Sequence, residues 1–134
     1  MKKTLYFFSI LASLLLFSCS KEKTTAGSSN TATVQFDFTT DKTGNFIGEY
    51  LADSSQMTEN LTTLSWSKTI TINKQNSGSH TIIFTVHPPS EWENTADRAN
   101  VAIKISVDGV VKSSNAGTMG GLDHAAGLTT TTDF

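Results

Sequence analysis

Residues 101–111 read VAIKISVDGVV, and they give the clearest indication of the fold class of the chain. In its first seven positions valine and isoleucine alternate with small or polar residues, the period of two that a strand with one buried face requires. Asp108 and Gly109 follow at once, and both residue types tolerate the left-handed backbone of a two-residue hairpin turn. The stretch therefore predicts a strand, a tight turn and a returning strand that begins at Val110.

The same alternation recurs through residues 32–134, where no helical period is found. Pro88 and Pro89 end one of the strands because neither residue can donate to a ladder. We predict an all-β domain, an immunoglobulin-like antiparallel β-sandwich of about seven strands, with Trp66 and Ile103 buried in one core. The predicted strands are 32–39, 46–51, 66–72, 81–86, 101–107, 110–113 and a final threonine-rich segment, with a break at 53–56.

The composition limits the function classes. The chain has 134 residues, enough for one domain but not two. Its 16% of charged residues and formal net charge of -2 leave no basic stripe that could neutralise phosphates, so we expect no nucleic-acid partner.

The N-terminal segment has the pattern of a secretory signal. Two lysines precede an apolar run at residues 5–17, which is shorter than the roughly 20 residues of a membrane-spanning helix. The tetrapeptide at 16–19 resembles the bacterial lipobox, which implies that residues 1–18 are removed and that Cys19 carries acyl chains such as palmitate. The alternative is an ordinary secreted protein with one free thiol.

A polar segment follows Cys19 and lacks hydrophobic periodicity, so we interpret residues 19–31 as a lipid-anchored cysteine and its flexible tether. Ser20, Lys21 and Glu22 resemble the export signal of Bacteroidota lipoproteins, although Lys23 replaces a second acidic residue. We expect an outer-membrane lipoprotein on either the periplasmic face or the cell surface.

The order of several short motifs also resembles the MmpS-type transport accessory family. The matching segments are 34–36, 50–53, 64–69 and 101–112. Ser65 stands where that family has proline. The resemblance implies a domain that assists a large envelope transporter.

Candidate binding residues lie in two loops. Residues 88–100 carry Trp92 and Arg98, residue types that are common in binding hot spots, and the glycine-rich residues 117–127 carry Asp123 and His124. The other interpretation of Trp92 is that it folds back to cap the end of the sandwich.

The three histidines do not have the spacing of metal ligands, and the sequence contains no motif that pairs a nucleophile with a base. We therefore expect no cofactor, no metal and no catalysis. The sequence favours a membrane-anchored envelope lipoprotein that acts as an interaction or transport-accessory module with an envelope protein partner. The alternative is a cell-surface lipoprotein that binds a glycan or peptide.

Overall fold

A computed structural model describes residues 30–52, 54–74, 79–120 and 128–133 of the chain. The predicted signal segment, Cys19 and the tether up to residue 29 lie outside these ranges. The described residues form eight strands and one short 3-10 turn at Ser90–Trp92. The strands are β1 Thr31–Thr40, β2 Phe46–Ala52, β3 Ser55–Leu61, β4 Ser65–Asn73, β5 Thr81–His87, β6 Ala99–Val107, β7 Val110–Met119 and β8 Leu128–Asp133.

These strands build two antiparallel four-stranded sheets, in the orders β4-β1-β6-β7 and β3-β2-β5-β8. The predicted antiparallel β-sandwich is confirmed, with eight strands in place of about seven. In an immunoglobulin constant domain the first two strands share a sheet, whereas β1 and β2 here lie in different sheets.

The chain passes between the sheets at one end of the sandwich four times, after β1, β3, β5 and β7. We call this end, formed by residues 41–45, 62–64, 88–98 and Gly120, the crossover end. Backbone hydrogen bonds from Thr40 to Leu64 (2.9 Å) and from Asp41 to Asn100 (3.2 Å) join its segments.

The opposite end, which we call the tether end, contains Asn30, Lys74 and the turn at residues 108–109. There the amide of Lys74 donates to the carbonyl of Asn30, and Asp108 donates to the carbonyl of Thr33. The first described residue, Asn30, therefore lies at the end of the sandwich away from the crossover loops.

The predicted hairpin between β6 and β7 is confirmed. Asp108 and Gly109 have φ angles of 50° and 77°, the left-handed values that a two-residue turn of this kind requires. Val107 pairs with Val110, so the turn holds two residues only.

The core lies between the sheets and is dominated by aromatic rings. Phe36 packs against Tyr50 and Phe84, with ring centroids 4.9 and 5.5 Å apart, and Phe38 packs against Phe46 at 5.3 Å. Ile103 is also fully buried, as predicted. Because the inward residues alternate strictly along β1, β2 and β5, each of these strands contributes one complete face to the core.

Trp66 departs from its prediction, because it is half-buried and not part of the fully enclosed core. Its ring lies 6.2 Å from Tyr50 and 6.0 Å from Phe84. β4 and β3 are the edge strands on the same side of the two sheets, and the sheets pack less closely here than where β7 meets β8. This open side, which we call the β3/β4 side, leaves Trp66 partly in solvent.

β3 was not predicted, and its burial explains why. Only Leu61 of its seven residues is buried, so the strand lacks the alternation that identified the others. It is defined by its pairing with β2, from Ala52 opposite Ser55 to Phe46 opposite Leu61.

Candidate functional site

Trp92 is buried at the crossover end, with 5% of its surface exposed. It is the last residue of the 3-10 turn that follows Pro88 and Pro89, and its indole meets the ring of Phe46 edge-on, with centroids 5.3 Å apart. The expectation that Trp92 offers an exposed contact surface is therefore wrong. The capping interpretation is the one that the structure supports, since the turn directs the indole inward onto the core.

The backbone around Trp92 is tightly fitted. A Cβ atom on Gly120 would lie 2.6 Å from the carbonyl oxygen of Asp97 and 2.9 Å from the indole, and Gly120 has a φ of +94°. A Cβ on Gly44 would lie 3.2 Å from the other side of the indole. Glycine is therefore required at Gly120, both by space and by backbone conformation.

Charged side chains hold the same loops from outside. The ammonium of Lys42 lies 5.0 Å from the indole centroid of Trp92 and forms an ion pair with Asp97. The hydrogen bond and the positive charge of Lys42 hold the pKa of Asp97 below its ordinary value.

Arg98, the second predicted binding residue, is exposed beside this cluster. Asp123 and His124 lie outside the described residues, and Gly120, just before their segment, belongs to the crossover end.

A second surface was not predicted, and it crosses the outer face of the β4-β1-β6-β7 sheet. Two adjoining shallow cavities of about 430 and 520 Å³ share Thr39, Ala102 and Ala116. These three residues form one row, because Thr39 pairs with Ala102 and Ala102 with Ala116. Small side chains on three neighbouring strands thus produce a depression across the sheet, which we call the transverse groove.

One wall of the transverse groove is formed by Asp37, Lys104 and Ser114, which are paired across β1, β6 and β7. The Lys104 ammonium lies 3.1 Å from a carboxylate oxygen of Asp37. Burial opposes ionisation of Asp37, but hydrogen bonds from Gln35, Ser67 and Lys104 outweigh it, so the pKa of Asp37 is lowered. This wall therefore carries one negative and one positive charge at neutral pH.

The other wall consists of Asp41, Asn100 and Thr118. The side chain and backbone amide of Asn100 donate to the two carboxylate oxygens of Asp41, at 2.6 and 2.8 Å. These hydrogen bonds lower the pKa of Asp41. Thr118 donates to the side-chain oxygen of Asn100 at 3.1 Å, so the wall is a connected polar network. It borders the crossover end.

A third cluster lies on the β3/β4 side. Tyr50 and Lys68 both donate to one carboxylate oxygen of Glu59, at 2.8 and 2.7 Å. Glu59 and Lys68 occupy inward-facing positions on the two edge strands, opposite Gly48 and Phe36. Inward-pointing charges on an edge strand oppose pairing with another chain, so we assign this pair a protective, structural role.

We expect the stability of the domain to fall on acidification. The hydrogen bonds from Lys68 and Tyr50 lower the pKa of Glu59 below its ordinary 4.5, and Asp37, Asp41, Asp97 and Asp108 are lowered from 3.8. A carboxylate with a lowered folded-state pKa stabilises the fold above its unfolded pKa, and this contribution is lost as the pH falls through the folded value. The melting temperature should therefore be level near neutral pH and decrease once the pH falls below about 4.5.

Thermal melts across that pH range measure this effect. Glu59→Gln should melt lower than the parent at neutral pH and lose less on acidification, because one of the linked carboxylates is gone. Parent and variant curves that remain parallel through the acidic range would show that Glu59 is not linked to stability.

Among the described residues, no three His, Cys, Asp or Glu side chains are grouped so that they could hold a metal ion. The same part of the chain contains no helix with the length and hydropathy needed to cross a bilayer. No protein-family model matches the chain, and no curated protein is significantly similar to it.

Proposed function

We propose that this chain is a membrane-anchored envelope lipoprotein whose sandwich is a non-catalytic interaction module. The lipobox-like residues 16–19 supply the anchor through Cys19, and two or more acyl chains anchor a protein stably on a bilayer. The outer membrane, at its periplasmic face or at the cell surface, is the compartment that this pattern favours.

The main support for this proposal is that the N-terminal segment enters the sandwich at one end, opposite the crossover end. Asn30, which continues the tether, lies at the tether end, and the ten residues of β1 lead from there to the crossover end. A ten-residue strand is about 33 Å long. A domain anchored through Cys19 is thus attached at its tether end, and its crossover end lies a strand length from that attachment, where a second envelope component can reach it.

The crossover end also suits recognition because its loops are held in place. The indole of Trp92 lies beneath them, and the ion pair of Lys42 with Asp97 joins residues 41–45 to residues 88–98. Loops that are ordered before binding lose less conformational entropy when a partner docks. With Trp92 buried, the contacts would come from exposed residues such as Arg98 and Glu91. A transport-accessory role, as the MmpS-type resemblance implies, is the finer form of this proposal.

Cys19→Ala tests the anchor. We expect the variant to leave the membrane fraction or to accumulate as an uncleaved precursor, because no other cysteine can accept an acyl chain. Fractionation with immunoblotting measures the distribution, and Ser20→Ala is the matched control, which should stay with the membrane. A processed Cys19→Ala chain that remains membrane-bound would refute the lipoprotein proposal.

A further inference from the structure

We propose that the transverse groove is a binding site for a neutral oligosaccharide. This site goes beyond the function proposed above, because it lies on the outer face of a sheet and involves neither Cys19 nor the tryptophan of the crossover end. It follows from the shape, the side-chain chemistry and the charge of nine residues on the outer face of one sheet.

The shape is that of a trough between two polar walls. The wall residues stand two positions to either side of the floor row along the strands, so the walls are about 13 Å apart, and the three strands make the trough about 10 Å long. Ala102 and Ala116 are exposed, and their side chains end at the Cβ atom. The floor can therefore accept a ring-sized group lying flat across the strands.

The chemistry of the trough matches that of a sugar. A pyranose has apolar C–H faces and a rim of hydroxyl groups that both donate and accept hydrogen bonds. The two alanine methyl groups lie where a C–H face would rest, while the walls offer a carboxylate acceptor at Asp41 and donors at Lys104 and Asn100. Hydrogen bonds to ionised groups are the stronger kind, and the exposed carboxylate of Asp41 remains ionised at neutral pH.

The charge of the groove distinguishes between ligand classes. Its two carboxylates and one ammonium give a net charge of -1, counted over Asp37, Asp41 and Lys104. That charge repels phosphate and uronate groups, so neutral sugars are favoured over polyanionic polysaccharides. Lys104 and Asp37 neutralise one another, so no strong cationic ligand is favoured either.

The walls are already ordered by hydrogen bonds within the protein. Asn100 is held by Asp41 and Thr118, and Asp37 by Gln35 and Lys104. A ligand would meet side chains that are already positioned, which lowers the entropic cost of binding. The groove is nevertheless shallow, so we expect weak, millimolar to high-micromolar affinity.

The experiment uses the chain from Ser20 to Phe134, which contains every residue of the buried core. Neutral hexasaccharides of β-1,4-glucose, β-1,4-N-acetylglucosamine and α-mannose are titrated while backbone amide NMR shifts are recorded. We expect at least one to bind, with the largest shifts at Thr39, Ala102 and Ala116, and with an affinity that changes little when salt is raised.

Ala102→Leu provides the decisive variant, because it fills the floor from an exposed position on the strand surface. We expect at least a tenfold loss of affinity with an unchanged melting temperature. Thr71→Leu is the matched control, since it adds a leucine to the same outer face on β4, outside the groove, and should bind as the parent does.

Three results would overturn the proposal. They are failure of all three hexasaccharides to bind at millimolar concentration, shifts that lie on another surface, and an Ala102→Leu variant that binds normally. Binding of unstructured peptides that Ala102→Leu abolishes, with no binding of sugars, would assign the groove to a different ligand. None of these outcomes depends on whether Cys19 anchors the chain.

Discussion

Trp92→Ala is expected to lower the free energy of unfolding by about 3 to 5 kcal/mol, the usual cost of truncating a buried aromatic side chain. The indole is 5% exposed, it packs edge-on against Phe46, and the backbone of Gly44 and Gly120 closes around it. Its removal would leave a cavity that three loops at the crossover end now enclose. Such a loss is a large part of the roughly 5 to 15 kcal/mol available to a domain of this size.

Urea denaturation followed by circular dichroism measures this loss, with Trp66→Ala as the comparison. Trp66 is the only other tryptophan and is half-buried on the β3/β4 side, so its truncation should cost less. The expected order is parent, Trp66→Ala, then Trp92→Ala in decreasing stability. If Trp66→Ala proves the more damaging substitution, the crossover end does not depend on Trp92 as described.

Gly120→Ala should be the second most damaging change, with an expected cost of about 2 to 5 kcal/mol. The added methyl group would meet the carbonyl oxygen of Asp97 at 2.6 Å, and the backbone φ of +94° disfavours any residue with a Cβ atom. Because the carbonyl belongs to the backbone, the loop itself must move to relieve the contact.

Gly109→Ala separates these two causes. Gly109 also has a positive φ, 77°, but a Cβ atom there would meet nothing within 4 Å. Its substitution should therefore cost only the backbone strain, about 1 to 2 kcal/mol. If both variants lose the same free energy of unfolding in the same denaturation assay, the contact of the added methyl group with the Asp97 carbonyl contributes nothing to the cost at Gly120.

The strands that form the core could be predicted from the sequence because their period is regular. Val34, Phe36 and Phe38 alternate without interruption, and Asp108 with Gly109 specifies a turn by backbone chemistry alone. β3 could not be predicted in this way. It is an edge strand with one buried residue, and its existence depends on pairing with β2, which leaves no pattern in the residues themselves.

The candidate sites show a similar limit. The chemistry of Trp92 allowed both exposure and burial, and the choice depends on a 3-10 turn and on two glycines that are distant in sequence. The transverse groove depends on register, because Thr39, Ala102 and Ala116 form a row only when β1, β6 and β7 pair as they do. The outward alanine in the alternation of β6 is a signal that could have identified it.

The central position of β1 has a consequence for the order in which the chain can fold. β1 pairs with β4 and with β6. In the ladder with β6, Val34 lies opposite Val107, which is 73 residues further along the chain. A chain that is synthesised from its N-terminus cannot complete this sheet until β6 has emerged. Most of the domain must therefore emerge before the sandwich closes, and a factor that shields the early strands until then would improve its yield.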